Sequence, residues 1–411
     1  MIGKIIRIAL AYVGVIVGAG LSSGQELMQY FVSFGKWGMA GIAVLFVMHT
    51  VFGRLIMMLG CYYQSNDHSE VLSKIAHPVA NKVLDIALIT SCFVIGFVMI
   101  AGAGANLNQQ FGFPSWLGAL VCALLIIGVS FLNFEKITQV IGVFTPIIII
   151  MIIPIAAYTF IGKSYDFDYL DTVSRSIPTA LPNIGVSVLN YFALCVMTGI
   201  SMAFVLGGSV MRIGVAQKGG ALGGALVGLI SAVAALVLFA NVGKVMHADI
   251  PMLTLAQEIN PMFALAYAVV IFGLIFNTAF SLYYALAKRF AGGNIPKERT
   301  YMIVLVAIGF GLSFLGFKEL VGMMYPVLGY LGILMLVILI AAWVREKRNM
   351  HREKIIRRRM IALQEKKYDD DQNFTESDSR RYQRLGKASV IDSKSIKEDI
   401  RDLVKEENQE Q

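Results

Sequence analysis

Ten long apolar segments constrain this chain more than any other feature of its sequence. A helix that crosses a membrane needs about 20 mostly apolar residues, and within lipid its backbone groups must bond to one another. The chain has 411 residues, of which 57% are hydrophobic and 15% are charged. The sequence therefore predicts an all-α polytopic membrane protein with ten transmembrane helices. We place the segments at 5–33, 37–61, 83–110, 114–132, 138–162, 185–211, 219–243, 260–288, 299–316 and 319–344.

Small and polar residues interrupt the first segment in its middle. The run 17–26 reads Val-Gly-Ala-Gly-Leu-Ser-Ser-Gly-Gln-Glu. A helix that unwinds there leaves backbone groups without partners, which is tolerated only inside protein or beside a wet cavity. A solute or an ion can meet such groups, so the run predicts a transport site. The alternative is that its glycines only allow close helix packing, as we expect for the pairs Gly219-Gly220 and Gly223-Gly224 of segment seven.

A comparable region occurs about 175 residues later, in segment six, where 193–201 read Ala-Leu-Cys-Val-Met-Thr-Gly-Ile-Ser. Segments three and eight repeat at a similar offset. Because five helices is an odd number, the second half must lie inverted relative to the first. We therefore predict a 5+5 inverted repeat, 5–162 and 185–344, with helices one and six discontinuous, as in secondary transporters. The transmembrane domain is expected to cover 1–345.

The distribution of lysine and arginine predicts the orientation. These residues cluster at one set of segment ends and after segment ten, and few lie at the other ends. Because positively charged loops stay in the cytoplasm, we expect both termini there and the protein in the inner or plasma membrane. We interpret the net charge of +8 in these terms and expect no nucleic-acid partner.

The residues after segment ten, 346–411, form a separate tail in this prediction. Residues 345–367 are strongly basic with interspersed apolar side chains, which is typical of a helix on the inner membrane face that contacts anionic lipids. Residues 368–411 are polar and charged, and we expect them to be partly helical or disordered.

The first segment resembles a signature of the YkvI family of bacterial membrane proteins, Gly-Ala-Gly-x-x-Ser-Gly-Gln-Glu, in its residues 18–26. The resemblance covers roughly residues 1–345. It implies membership of the amino acid–polyamine–organocation superfamily, whose members share the LeuT fold. It also implies alternating access around a site formed by helices one, three, six and eight.

Three groups of residues are candidates for substrate binding. In the unwound first helix, carbonyls that end one half-helix suit a cation, and N–H groups that begin the next suit a carboxylate. The candidates there are Gly18, Ala19, Gly20, Ser22, Ser23, Gly24, Gln25 and Glu26. From helix three and helix six, the resemblance adds Gly102, Asn106, Cys195, Met197, Thr198, Gly199 and Ser201.

Glu26 is the most informative single candidate. An ionised carboxylate inside a membrane costs several kcal/mol unless it is paired or hydrated, so it indicates function by default. It can carry a proton, bind a cation or attract a cationic solute. The alternative is a structural ion pair, for example with Arg54.

The coupling ion, Na⁺ or H⁺, stays open at this point. In sodium-coupled carriers of the LeuT fold, hydroxyls of helix eight face carbonyls of helix one, which implies the ligands Gly14, Val17, Asn277, Thr278 and Ser281. Thr278 and Ser281 share a helical face, but the adjacent pair of hydroxyls found in those carriers is absent. Cys195 and Met197 are soft ligands that suit a transition metal, or else they line the pocket as apolar groups.

The sequence thus predicts a secondary active transporter of a small amino acid-like or amine-like solute, with the lipid bilayer as its surroundings. Two alternatives are a metal-ion transporter and a membrane sensor or scaffold that signals through its tail. We find no phosphate loop, no nucleophile–base set and no metal-ligand spacing, so we expect neither an enzyme nor a cofactor.

Overall fold

Helices are the only regular elements in the computed structural model, which describes residues 2–64, 68–131, 143–369 and 372–409. Seven of the described helices are long and apolar enough to cross a membrane, and a multi-pass all-α membrane protein is therefore confirmed. These seven are Lys36–Tyr63, Pro78–Phe111, Ile184–Gly208, Ile213–Ala240, Pro261–Ala291, Ile295–Leu315 and Phe317–Tyr368. The count of ten helices and their 5+5 arrangement remain predictions.

Eighteen α-helices succeed one another along the described residues. They are α1 (Ile2–Ile16), α2 (Ala19–Ser23), α3 (Gln25–Tyr30), α4 (Lys36–Tyr63), α5 (His68–Ile75), α6 (Pro78–Phe111), α7 (Ser115–Val129), α8 (Phe144–Phe160), α9 (Phe167–Ser174), α10 (Ile184–Gly208), α11 (Ile213–Ala240), α12 (Val242–Val245), α13 (Pro251–Ile259), α14 (Pro261–Ala291), α15 (Ile295–Leu312), α16 (Phe317–Tyr368), α17 (Glu376–Ala388) and α18 (Ser393–Gln409). Segment one spans α1 to α3, and segments two to ten fall on α4, α6, α7, α8, α10, α11, α14, α15 and α16. The start of segment five, 138–142, lies outside the described residues.

The first segment is broken, as predicted. α1 ends at Ile16, the five-residue α2 comes after a gap of two residues, and α3 starts only at Gln25. A 3₁₀ turn over Val32–Phe34 then leads into α4. The first helix is therefore divided into two main parts, α1 and α3, with α2 between them.

Helix six is continuous, so the prediction of a second break is wrong. α10 runs without interruption from Ile184 to Gly208. Its middle holds a single glycine, Gly199, which packs against Ile16 of α1, and the Thr198 hydroxyl donates to the Cys195 carbonyl (3.0 Å). A helical glycine costs only about 1 kcal/mol, which packing against a neighbour offsets. The three closely spaced glycines of the first segment have no counterpart here.

Residues 345–367 do not form a separate helix on the membrane face, because α16 continues through them to Tyr368. The Arg357 side chain is 1% exposed and donates to the Cys61 and Tyr62 carbonyls (2.8 and 2.9 Å), close to the end of α4. Contacts with protein thus cover a face that we expected to lie on lipid. The contact with anionic lipids stays a prediction for the exposed basic residues.

The rest of the tail is helical over most of its described length. Thr375 and Asp378 form a reciprocal capping box at the start of α17, which satisfies backbone donors that a helix start leaves free. In α18, Ile396, Ile400 and Val404 make a stripe at four-residue spacing and are fully buried. These local signals order residues whose composition suggested partial disorder.

The helix ends collect at two sides of the molecule. At the first, which we call the tail side, α16 contacts α4 through Arg357, and Arg289 at the end of α14 pairs with Asp85 near the start of α6. At the opposite side, which we call the loop side, Lys36 at the start of α4 pairs with Asp168 of α9. That the tail side is cytoplasmic remains a prediction.

Glycines bring α11 close to two neighbours. A Cβ at Gly224 would overlap the His49 carbonyl of α4, and one at Gly220 would overlap the Gly53 carbonyl. On the adjacent face, a Cβ at Gly219 would lie 2.6 Å from Ile8 of α1. The small residues of segment seven therefore allow close packing, as predicted.

Candidate functional site

Two backbone features create the break in the first segment. The Val17 N–H still donates to the Val13 carbonyl (2.8 Å), but Gly18 is extended, with φ −110° and ψ −169°. Gly24 then adopts the left-handed conformation, with φ +83°, and separates α2 from α3. An L-residue is strained in that conformation, so Gly24 is the position where the second interruption needs glycine.

Hydroxyls satisfy part of the unwound backbone. Ser22 donates to the Gly18 carbonyl (3.0 Å), Ser23 donates to the Gly20 carbonyl (2.8 Å), and the Gln25 N–H donates to the Ser23 hydroxyl (3.3 Å). The last two bonds satisfy backbone groups that lost their helical partners, as buried backbone requires, whereas the Gly18 carbonyl also accepts from the Ser22 N–H (3.4 Å). The serine hydroxyl protons are thus used within the break, and a direct role for these serines in substrate binding stays a prediction.

Helix α14 also contributes to the break. The Tyr267 hydroxyl, which is fully buried, donates to the Ser22 carbonyl (3.0 Å). This bond connects the eighth predicted segment directly to the interrupted first one. Tyr267 was not among our candidates, although a tyrosine in the interior of a membrane segment needs a hydrogen-bond partner and could have been noted for that reason.

Glu26 lies in the first turn of α3 and is 9% exposed. Its carboxylate occupies the space beside Gly20 where any side chain at that position would begin. The Tyr191 hydroxyl of α10 donates to this carboxylate, and it is also hydrogen-bonded to Cys195 one turn further along the helix. The break, α3 and α10 therefore meet at one buried carboxylate.

Glu26 makes no ion pair with any residue that the structure describes. Arg54, its proposed structural partner, is exposed on α4. Further tyrosines, Tyr30 and Tyr325, also lie within electrostatic reach of the carboxylate. The surroundings of Glu26 are therefore hydroxyl groups and aromatic rings, a setting that suits either a protonated carboxyl or a bound cation.

A polar and aromatic frame fixes α3 against α10 and α16. Tyr30 donates to the Asn190 side-chain carbonyl (3.1 Å), and the Asn190 amide donates to the Pro326 carbonyl (2.9 Å). The ring of Tyr191 lies 5.1 Å from that of Tyr30 and 5.3 Å from that of Phe31, between ring centroids. Sequence reasoning did not place Asn190 or Tyr30 at the site, although both are polar groups within apolar segments.

Along α10, exposure increases away from Glu26. Tyr191 is buried, Cys195 is half-buried, Thr198 is exposed, and Met202 is 60% exposed. Their spacing places these four residues on one helical face. Gly18 lies at the end of the break nearer α1, and it has open space where a Cβ would point. Ser201 beside this face is half-buried.

Met197 and the two candidates of helix three have other contacts. Met197 accepts a hydrogen bond from Ser91 of α6 (3.6 Å). A Cβ at Gly102 would lie 3.0 Å from the Phe317 ring, and Asn106 donates to the Ala268 carbonyl of α14 (2.9 Å). These contacts hold helices together, and a role in substrate binding stays a prediction for all three.

The tentative ion ligands differ in their exposure and in their hydrogen bonds. The Thr278 hydroxyl donates to the Leu274 carbonyl (2.9 Å), which leaves its lone pairs available, and Ser281 is half-buried. The Asn277 side-chain carbonyl is buried and has no hydrogen-bond partner among the described residues. Gly14 is exposed and Val17 is buried. A sodium site between these residues stays a prediction. Over the described ranges, no three His, Cys, Asp or Glu side chains are grouped as metal ligands.

Sequence comparison relates the chain to two proteins of Bacillus subtilis, and no family model matches it. The uncharacterized membrane protein YkvI is 24% identical over 333 residues, which cover 80% of this chain and 94% of YkvI. The uncharacterized protein YyaD is 25% identical over 333 residues, which cover 80% of this chain and 94% of YyaD. The match extends over nearly the whole of both relatives.

Structural comparison identifies the fold. MhsT, in its complex with L-phenylalanine, superposes with a TM-score of 0.55 at 13% identity, covering 96% of each chain. The inward-facing conformation of Mhp1 superposes with a TM-score of 0.53 at 13% identity, covering 98% of this chain and 91% of Mhp1. The chain is thus a multi-pass membrane protein with the LeuT fold.

Proposed function

We propose that the protein is a secondary active transporter of a small amino acid-like or amine-like solute, coupled to an ion by alternating access. The observation that carries the proposal is the buried carboxylate of Glu26 beside an interrupted helix. Discontinuous helices near the middle of the membrane are where secondary transporters bind solutes and ions. Membership of the amino acid–polyamine–organocation superfamily is part of this proposal.

In this proposal Glu26 carries the coupling proton or the positive charge of the solute. A carboxylate buried without a counter-ion is costly, and it lowers its free energy by taking up a proton or a cation. The Tyr191 hydroxyl donates to the carboxylate and so holds it in one orientation. A proton and an ammonium group then compete for the same oxygens, which couples their movements.

The conformational change would take place at the two interruptions. The break at Val17-Gly18 allows α1 to change its angle relative to α3, while Glu26 stays with Tyr191 on α10. Opening then alternates between the tail side and the loop side. With the tail side in the cytoplasm, the exposed face of α10 near Met202 would be the inner access route.

Uptake into proteoliposomes tests the proposal. Purified protein is screened for thermal stabilisation by amino acids, amines and nucleobases, with and without Na⁺, because a ligand stabilises the folded state by mass action. Hits are then assayed as labelled solutes under an imposed pH or Na⁺ gradient. Glu26→Gln should abolish gradient-driven uptake, and the matched control Glu258→Gln, at a partly exposed pair with Lys244, should not.

Normal, gradient-dependent uptake by Glu26→Gln would remove this carboxyl from the mechanism. If uptake requires Na⁺ and does not respond to the pH gradient, the coupling ion would be assigned to a site near Asn277 and Thr278 and not to Glu26. Absence of both binding and uptake over the whole panel would contradict the transporter assignment itself.

One observation favours a second candidate, a sensor or scaffold with a transporter fold. The tail is docked on the tail side by buried contacts such as those of Arg357. Truncation after Tyr368 keeps Arg357 and removes α17 and α18. A transporter should retain uptake after this truncation, whereas a sensor should keep solute binding and lose its cellular output.

A further inference from the structure

A buried ion pair fixes the tail to the end of α4. Arg357 pairs with Glu353 one turn earlier (2.8 Å), and both side chains are at most 3% exposed. Glu353 also accepts hydrogen bonds from the Ser389 hydroxyl (2.6 Å) and the Val390 N–H (3.1 Å). Because Arg357 bonds to carbonyls near the end of α4, three parts of the chain meet at this pair. The next helix, α18, therefore starts from a fixed point.

From that point α18 lies along α16 and the residues before α11. Its stripe of Ile396, Ile400 and Val404 packs in one cluster with Met360 of α16 and Met211. Apolar packing of this kind sets the direction of the helix. It carries the last turns of α18 towards the starts of α1 and α11.

Glu407, near the end of α18, contacts both of these helices. Its carboxylate accepts from Lys4 of α1 (3.0 Å) and from Arg212, the residue before α11 (2.7 Å). Arg212 also pairs with Glu365 of α16 (2.8 Å). The Glu407 side chain is only 19% exposed, so solvent screens these pairs less than those of a fully exposed carboxylate. Burial acts to raise the pKa of Glu407, but the bonds from Arg212 and Lys4 lower it below its ordinary value of 4.5.

Lys4 belongs to the part of the first segment that the break sets apart. α1 ends at Ile16, two residues before the extended Gly18, so few backbone bonds connect it to α2. Its contacts with α11 are apolar, through Ile8 on Gly219 and Tyr12 on Gly223. The link from Lys4 to Glu407 is thus a charged contact at the end of α1 that lies farthest from the break.

We propose that the tail is an ionic latch in which Glu407 holds α1 beside the start of α11, and that opening the latch frees α1 to move about the break. The latch connects the tail to the interrupted helix. A rise in ionic strength or an anion that competes for Lys4 and Arg212 opens it. The proposal concerns the motion of α1 and does not depend on what the protein transports.

Hydrogen exchange measured by mass spectrometry, on the full chain in nanodiscs of zwitterionic lipid, tests the latch. Amides of residues 2–16 should exchange about three- to tenfold faster in Glu407→Gln than in wild type, the range expected for loss of a partly protected ion pair. The matched control is Glu376→Gln, which removes an exposed pair with Arg380 on α17 and should change nothing in α1. Raising the salt should speed exchange of α1 in wild type and not in Glu407→Gln.

Substituting Lys4 distinguishes loss of the latch from general damage to the tail. Lys4→Glu leaves the sequence of α18 intact and should speed exchange of α1 as Glu407→Gln does, even if the latter loosens α18. The double variant Lys4→Gln/Glu407→Gln should exchange about as fast as Glu407→Gln alone, because both substitutions remove the same contact. Equal exchange of α1 in wild type, Glu407→Gln and Lys4→Glu would overturn the proposal, as would simple addition of the two glutamine effects.

Discussion

Replacing Gly24 with alanine tests whether the break depends on backbone conformation. Gly24 has φ +83°, and the left-handed conformation costs an L-residue about 1–2 kcal/mol. A Cβ there would also lie 2.9 Å from the Met252 Cγ and 3.1 Å from the Leu238 Cδ1, and overpacking of this kind costs about 1–3 kcal/mol. We therefore expect Gly24→Ala to destabilise the folded protein by about 2–5 kcal/mol.

Thermal unfolding of the purified variants measures this effect. Gly18→Ala is the matched control, because the same segment offers open space there and an ordinary negative φ. Adding Met252→Ala to Gly24→Ala should recover the steric cost that Met252 causes and leave the backbone cost and the Leu238 contact, which a double-mutant cycle separates. The reasoning fails if Gly24→Ala unfolds at the wild-type temperature, or if Gly18→Ala is the more damaging substitution.

Two further predictions concern the tail. Arg357→Met leaves Glu353 buried without its cation, so we expect the tail to lose about 3–5 kcal/mol of local stability, measured by hydrogen exchange. The control Arg380→Met removes an exposed pair and should change that stability little; equal losses in the two variants would refute the prediction. The bond from Lys366, together with the weaker ones from Thr375, lowers the pKa of Asp378 from 3.8 to about 2. Because the folded-state pKa is depressed, this contribution is present above about pH 4 and is lost as the pH falls to about 2. Pepsin should therefore cut 376–388 faster at pH 2 than at pH 4, relative to a free peptide of that sequence, and Asp378→Asn should remove the difference.

The interruption of the first segment could be predicted because its cause is local. Gly18, Gly20 and Gly24 lie within seven residues, and Glu26 comes two residues later, where an apolar residue would be expected. Glycine spacing and a buried charge are both visible in the sequence. The residues that complete the site, such as Tyr267 and Asn190, come from segments far along the chain. Their role depends on tertiary contacts that no local pattern contains.

The errors about helix six and the tail have a common physical origin. Composition suggested a break in helix six and a separate membrane-face helix over 345–367, and in both places the structure has one continuous helix packed against its neighbours. Gly199 packs against Ile16 within an unbroken helix, and the predicted helix after Trp343 continues segment ten and lies against protein because Arg357 is buried at the end of α4. A chain with the LeuT fold can therefore keep its sixth predicted segment helical throughout while its first segment is broken.

Because α16 is long, a small tilt of the helix displaces its far end by a large distance. Its 52 residues, from Phe317 to Tyr368, correspond to roughly 78 Å at 1.5 Å per residue, so about half of it extends past the predicted span. A tilt of only about 5° in the first half would displace the far end by about 3 Å, which is the length of a hydrogen bond. Small rotations among the packed helices are thereby converted into the making or breaking of polar contacts at the distal tip.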